Sequence, residues 1–453
     1  VIPPDWRLAF DARFVDEVII GGHPRRLLRL SPAGRQYARA LQRGGPVGAS
    51  AGAQRLARRL LDTGVANPLP CGGGSGAVTV VIPVRDRAED LERTLRSLGS
   101  VERVIVVDDG SRDHSVAAVA TRHGADVVRH DENRGPAAAR NTGWRLATTE
   151  LVVFVDADCQ PEPAWLDALL PHFGDPEVVA VAPRIVTSST AGLPATVAAY
   201  ERDRGSLDRG AVPAVVRIGS PVSFVPTAAL AVRRAALQAA DGFDESLRVG
   251  EDVDFVWRIE GTVRYEPRAR VGHPARSSAT AWLRQRFEYG TSAASLARRH
   301  GSDVAPLVVS RTTVAAWGMV AVGAPAVGVG IAAASTVALA RRLPVRAPER
   351  EAVRLVGYGQ LAGGRAIAEA LRRSWWPLAI VAAGRWRRAR PAVAAAFTVP
   401  LLVEWVQQRP RLDPLRWMIV RVVDDMAYGA GVWTGCWRQR SWTALRPRLS
   451  ASR

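Results

Sequence analysis

The sequence predicts an α/β protein built around a parallel sheet buried on both faces, and three observations carry that prediction. From Ala77 onward, short continuous apolar runs alternate with helical stretches, the pattern of strands covered on both sides. A Gly-rich segment, Cys71–Gly76, divides this region from a shorter one before it, as a flexible linker does. The charge is also unevenly placed along the 453 residues. Residues 1–270 hold 34 arginines and 34 acids, while residues 271–453 hold 27 arginines and 9 acids, so the whole net charge of +18 lies in the tail. There is no lysine. As a whole-chain figure, +18 suggests a nucleic-acid partner. Confined to the part that also carries the longest apolar stretches, it points instead to an anionic membrane surface. The length suits two or three domains. An apolar fraction of 47% excludes a mainly disordered chain, and three separated cysteines (Cys71, Cys159, Cys436) exclude a disulfide scaffold or a cysteine-rich zinc module.

Residues 1–70 form the first unit. Phe14–Ile20 and Arg26–Leu30 read as strands joined by Gly21-Gly22. Ser31-Pro32 starts a helix to about Gln42, a second helix runs from about Ala51 to Thr63, and Val65–Pro70 is a short strand. A hairpin and two helices make this a small winged-helix-like module. In residues 77–295 the strands are Val78–Ile82, Val104–Val107, Ala125–Arg129 and Leu151–Val155. The helices are Ala88–Leu98, His114–Arg122 and Pro136–Ala147.

Residues 296–453 are a basic, apolar, helical tail. Thr312–Ala340 is uncharged over 29 residues, enough to cross a bilayer, but Gly323-Ala324-Pro325 breaks it near the middle. A single crossing would put the eight arginines between Arg341 and Arg373 on the wrong side. Trp375–Gly384 and Pro391–Val403 are too short to cross alone. Helices lying on or re-entering the membrane fit best, with a multi-pass tail and a soluble bundle as alternatives. Charged residues interrupt the first twenty positions, so no secretory signal is expected there and the front of the chain is placed at the cytoplasmic face.

In parallel sheets ligands sit beyond the carboxyl ends of the strands. Polar residues gather at those points: Arg85-Asp86, Asp108-Asp109-Gly110-Ser111 and Asp156-Ala157-Asp158. Two carboxylates at i and i+2 leaving a strand can both reach one ion. Hard oxygen ligands select Mg²⁺ or Mn²⁺, held together with a diphosphate. No G-x-G-x-x-G follows the first strand, which removes the main support for a dinucleotide site.

Five motifs occur in order: Val81-Ile-Pro-Val-Arg-Asp86, Asp108-Asp-Gly-Ser111, Asn133-Arg-Gly-Pro136 with Ala139-Arg-Asn-Thr-Gly143, Phe154-Val-Asp-Ala-Asp158, and Gly250-Glu-Asp-Val-Asp254. Over residues 77–290 the chain thereby resembles the family 2 inverting glycosyltransferases. The resemblance implies a GT-A nucleotide-diphospho-sugar transferase fold. Within that family the whole chain looks most like the mycofactocin-system enzymes of actinobacteria, and its front module resembles peptide-recognition domains of peptide-modifying enzymes.

The resemblance assigns Pro83, Arg85, Asp86, Asp108 and Asp109 to the nucleoside, although many relatives carry Tyr-Asn in place of Arg85-Asp86. It assigns Arg140 to the donor diphosphate, Asp158 to the metal, and Asp156 to the sugar, the ribose or the ion's waters. His273 falls where related enzymes supply a histidine to the metal. Glu251-Asp252 is the catalytic pair, with Asp252 the base that deprotonates the acceptor hydroxyl. For Glu251 and Asp254 the alternative is capping of a helix N-terminus. Arg284-Gln-Arg-Phe287 is a poor match to the acceptor motif of processive synthases. The implied activity is transfer of a hexose, glucose from UDP-glucose, onto the peptide-derived redox cofactor mycofactocin or its precursor, as a short β-linked chain. The alternatives are a membrane-bound family 2 enzyme acting on a lipid or cell-wall glycan, and an inactive precursor-binding scaffold.

Overall fold

The computed structural model describes residues 1–72 and 76–450, which form two compact units, Val1–Ser189 with Gly205–Ala275 and Thr190–Arg204 with Arg276–Arg453. Of the expected linker Cys71–Gly76, residues 73–75 lie outside the described residues.

The first unit begins with β1 (Arg7–Phe10), β2 (Ala12–Val15), β3 (Val18–Gly21) and β4 (Arg26–Arg29). The strand expected over Phe14–Ile20 is two strands, β2 and β3, paired antiparallel about a turn. Asp16 takes a left-handed conformation there (φ 47°), which a short polar side chain tolerates. Helices α1 (Pro32–Gln42) and α2 (Ala51–Asp62) start where Ser31 and Ser50 accept the amide N–H of Gly34 and Ala53, each satisfying one otherwise orphaned donor. β5 (Ala66–Leu69) returns to pair antiparallel with β1. Trp6, Leu8, Ile19, Leu41 and Leu60 close the core of these seventy residues.

The same unit continues with β6 (Val78–Val84), α3 (Ala88–Ser97), β7 (Arg103–Asp108), α4 (Ser115–Arg122), β8 (Asp126–Arg129), α5 (Pro136–Leu146) and β9 (Leu151–Val155). Strands β8, β7, β6 and β9 are all parallel, as their apolar runs predict. Val80, Ile82, Val106 and Val153 fill one face, and Val81, Ile105, Val107 and Phe154 the other. The sequence reading names no strand after Val155, and there the sheet becomes mixed. It adds β10 (Gln160–Pro161), α6 (Trp165–Leu169) and β11 (Val178–Thr187), then α7 (Ala195–Asp203), which belongs to the second unit, and β12 (Ala214–Val216). β13 (Ala229–Arg233), α8 (Arg234–Ala239), α9 (Glu251–Arg258) and β14 (Thr262–His273) complete it. β13 runs antiparallel between β9 and β11, and β14 lies parallel to β11. Strand order is therefore β10-β14-β11-β13-β9-β6-β7-β8.

Residues 1–70 dock on this sheet region through charge as well as packing. Arg58 makes two hydrogen bonds to Asp175, at 2.9 and 2.6 Å, and Asp175 is buried. Arg217 donates to the carbonyls of Asp62 and His23. Trp6 meets the edge of His172 at 6.4 Å. Arg264 is buried beside them with no hydrogen-bond partner among the described residues. Burial lowers its pKa to about 10, against the opposing pull of Asp175 and Asp62.

The second unit is helical: α7, α10 (Ala279–His300), α11 (Arg311–Ala321), α12 (Pro325–Ala340), α13 (Pro348–Arg373), α14 (Trp376–Arg385), α15 (Arg390–Gln408) and α16 (Pro414–Arg438). The break expected in Thr312–Ala340 falls at Gly323 (φ 89°), between α11 and α12. The apolar run Pro391–Val403, too short alone by the sequence reading, is extended at both ends. With the 3-10 turn Arg387–Ala389 that leads into it, α15 makes a 22-residue helical segment, Arg387–Gln408, the one among the described residues long and apolar enough to cross a membrane; the sequence bounds stopped at the apolar residues, whereas the helix also takes in flanking polar ones. Large apolar side chains stand exposed on α12 to α15, among them Val329, Leu361, Val381, Val399 and Val406. Helices α10 and α16 touch backbone to backbone. A Cβ at Gly290 would lie 2.0 Å from the Tyr428 carbonyl oxygen, and one at Gly431 2.0 Å from that of Phe287. Gln285 and Arg286 lie on α10. Arg286 is buried against Glu201 and Asp424, so its charge is spent inside the helical unit.

Removing the Arg58 guanidinium leaves Asp175 buried without its partner. Arg58→Ala is expected to cost about 2–3 kcal/mol, below the value for a fully buried pair because Arg58 is partly solvated. Urea unfolding of the full chain measures it, and an unchanged midpoint would show that the pair contributes nothing.

Candidate active site

The parallel strands β6, β7 and β9 bring three polar turns to one edge of the sheet. Pro83 and Val84 pair with Val107 and Asp108, so Arg85-Asp86 and Asp108-Asp109 leave side by side. The Asp86 amide donates to Ser111 Oγ at 2.9 Å, and Asp86 Oδ1 accepts the Arg112 amide at 2.8 Å. Asp108 is fully buried. Its Oδ1 accepts the Ser111 amide at 2.9 Å, and its Oδ2 lies 3.2 Å from Arg129 Nη1.

Asp109 spends its oxygens on the chain itself. Its Oδ1 accepts from His130 Nδ1 (2.8 Å) and the Arg134 amide (2.9 Å), and its Oδ2 accepts the Gly135 amide (2.8 Å). Both oxygens hold the 130–135 loop that leads into α5. Asp109 is thus a strap for that loop.

Helix α5 carries the residue that joins the edges. Gly143 lets the helix lie flat on β6, since a Cβ there would come 2.2 Å from Val81 Cγ1. One turn earlier, Arg140 is buried, with Nη2 donating to Asp156 Oδ1 at 2.8 Å and Nη1 to Glu251 Oε1 at 3.0 Å. The two carboxylates raise the guanidinium pKa against its desolvation. Asn141 fixes the loop before α9, accepting the Phe243 amide and donating to the Phe243 carbonyl and to Glu245. Expected as a donor contact, Arg140 is here the bridge from the end of β9 to the start of α9.

Gly250 precedes α9 in a left-handed conformation (φ 87°), so Glu251, Asp252 and Asp254 fall in the first turn, next to the helix's unpaired amides. They divide their work. Asp254 is fully buried and pairs with Arg258 at 2.7 Å, an internal helix brace. Glu251 joins Arg140. Asp252, half-buried, accepts the Val253 amide at 2.8 Å. Its pKa is pushed up to about 7, first by burial and then by repulsion from Glu251, which suits a general base near neutral pH.

Asp158 stands apart from Asp156. Its Oδ1 lies 3.6 Å from His273 Nε2 at the end of β14, and its Oδ2 is paired with Arg87. The structure therefore brings Asp158 and His273 together and turns Asp156 toward Arg140. Among the described residues no group of three or more His, Cys, Asp or Glu side chains gathers around one point. One carboxylate and one imidazole still fit a divalent cation of the GT-A kind, because Mg²⁺ and Mn²⁺ leave most positions to diphosphate oxygens and water. Sequence reasoning missed Arg87, Arg129 and Arg209. The only signal for Arg87 was its place in Val84-Arg-Asp-Arg87. Arg209 stacks on Phe224 at 4.2 Å and its charge is felt at Asp252; no motif marks it.

Three outcomes follow from this geometry. The base expected at Asp252 must be ionised to act, so kcat/KM should climb with pH through about 7 and then level off. Its folded pKa lies well above the usual carboxylate range, so the stability its protonation provides is full at acid pH and is lost as pH rises through about 7. Asp252→Asn should therefore abolish transfer and yet be no less stable than the parent at pH 8, read by thermal unfolding. Arg140→Met should lower kcat about 100-fold by freeing Asp156 and Glu251 from each other. Unchanged single-turnover rates would remove the bridge from the mechanism.

The family model described as glycosyl transferase family 2 matches residues 79–225. The chain is 41% identical over 451 residues to the pre-mycofactocin glycosyltransferase of Mycobacterium tuberculosis, covering 95% of this chain and 94% of that one. It is 33% identical over 100 residues to glycosyltransferase AglE of Haloferax volcanii, covering 20% and 33%. Among solved structures, the Pyrobaculum calidifontis mannosyltransferase in complex with GDP-Man and Mn²⁺ aligns with TM-score 0.43 at 17% identity, over 82% of this chain and 90% of that one.

Proposed function

The chain belongs to glycosyl transferase family 2 and, within it, to the pre-mycofactocin glycosyltransferases, and on that premise we propose that it transfers a hexose, glucose from UDP-glucose, with inversion onto mycofactocin or its precursor, building a short β-linked chain. The observation that supports the catalytic part is the Asp156–Arg140–Glu251 bridge, which ties the end of β9 to the helix turn that carries Asp252. In the proposed step Asp252 takes the proton from an acceptor hydroxyl. The hydroxyl oxygen forms its bond to the anomeric carbon as the opposite bond to the diphosphate breaks, and the nucleoside diphosphate leaves.

Pro83, Arg85, Asp86 and Asp108 form the nucleoside side of the site. When bound, Mg²⁺ or Mn²⁺ at Asp158 and His273 would offset the charge growing on the leaving diphosphate. Arg87, now on Asp158, supplies a second positive charge at that edge. Residues 1–70 are assigned to recognition of the peptide-derived acceptor, and the outward apolar faces of α12–α15 to contact with the cytoplasmic face of the membrane. Those faces also favour a second reading, transfer to a lipid or cell-wall glycan.

The test is purified enzyme with UDP-glucose, a divalent cation and premycofactocin, followed by mass spectrometry. Successive hexose increments on the cofactor, absent with Asp252→Asn, are expected. Transfer only to extracted lipid would reject this acceptor in favour of the second reading. Increments undiminished by Asp252→Asn would reject the base.

A further inference from the structure

We propose that the helical C-terminal unit contains a binding site for a phosphate dianion, separate from the sugar-transfer chemistry. The site is a cleft of about 200 Å³ lined by α13, α15, α16 and Arg204. Four arginines line it (Arg204, Arg365, Arg372 and Arg421) against two carboxylates, Glu369 and Glu404. The lining therefore carries an excess of two positive charges.

The buried arginines have unused donors. Arg372 and Arg421 are each 2% exposed and share the buried carboxylate of Asp425, which Arg373 also contacts. That leaves Arg372 Nη1 and Arg421 Nε without a hydrogen-bond partner among the described residues. The nearest acid to Arg421 Nε is Glu404 at 3.9 Å, beyond hydrogen-bond reach. A buried cationic N–H left unmade is costly. Both nitrogens are themselves buried, so an oxyanion in the cleft engages them through a small shift of the two guanidinium groups, whose residues line it; it also balances the excess charge of the lining, and a phosphate with two negative charges and several acceptor oxygens matches better than a carboxylate with one.

The rim fits the same ligand. Arg365 donates to Gln407 Oε1 at 3.0 Å and Arg204 to Glu404 at 2.8 Å, so the mouth holds cations in place without neutralising them all. On α15, Pro400, Glu404 and Gln407 face the cleft, while Val399, Leu402, Val403 and Val406 are exposed. The cleft thus opens beside an apolar helix face, so the phosphate has two possible sources: free phosphate or the headgroup of a phosphomonoester lipid.

The test uses the full chain. Inorganic phosphate is titrated calorimetrically with chloride as control, and flotation is measured with vesicles of phosphatidylcholine alone or doped with phosphatidic acid. Arg365→Gln combined with Gln407→Glu changes only exposed rim residues, so the fold and sugar transfer should persist while binding weakens about tenfold. Glu404→Gln removes a competing negative charge and should tighten binding several-fold. Phosphate binding with these opposite shifts assigns a free-phosphate site, and vesicle binding that needs phosphatidic acid and shifts in the same way assigns a lipid headgroup. Binding to neither probe, or binding indifferent to all the substitutions, would overturn the proposal.

Discussion

Everything at the sheet edge turns on one guanidinium. Arg140 is buried and held between Asp156, at the end of β9, and Glu251, at the start of α9. A buried cation is costly without partners; here two carboxylates come to it, and with Glu251 comes the turn that carries Asp252. Packing reinforces the demand. Phe243 lies under Arg140 at 5.7 Å, and Asn141 pins the loop on which Phe243 sits. The elevated pKa of Asp252 is a by-product of this arrangement, because Glu251 is drawn close while water is excluded.

The first half of the sheet was legible because its strands are short apolar runs buried on both faces, a pattern with one simple reading. The second half was not. β11, β13 and β14 mix parallel with antiparallel pairing, and β14 spends polar residues such as Arg264 and Glu266 in buried positions, so hydrophobicity alone does not outline them. The site shows the same division. Motif positions located the right turns, yet residue type did not separate an acid that faces a ligand from one that holds the chain. Asp109 and Asp254 lie within the motifs and use their oxygens internally, on loop amides and on Arg258. Arg209 lies outside every motif and reaches the site through tertiary folding alone.

The arginine-rich tail changes meaning in the same way. Its charge excess is real, but part of it is not on display. Arg286, Arg372 and Arg421 are buried and share Glu201, Asp424 and Asp425. Tyr200 donates to Asp424 at 2.7 Å, and Trp282 donates to Glu201 at 2.8 Å. Asp424 and Asp425, buried on α16, organise these cations from inside.

The glycine contacts between α10 and α16 have a consequence for how this chain can vary. Gly290, Gly431 and Gly435 each lie where a single methyl group would meet a backbone carbonyl oxygen at 2.0–2.5 Å, and no rotamer change relieves a clash with backbone. Mutational drift in the helical unit is therefore lopsided. The exposed flank of α15 can exchange one apolar residue for another with little penalty, whereas the α10–α16 line admits almost no alphabet at all. A saturation library would find its depleted positions along that line.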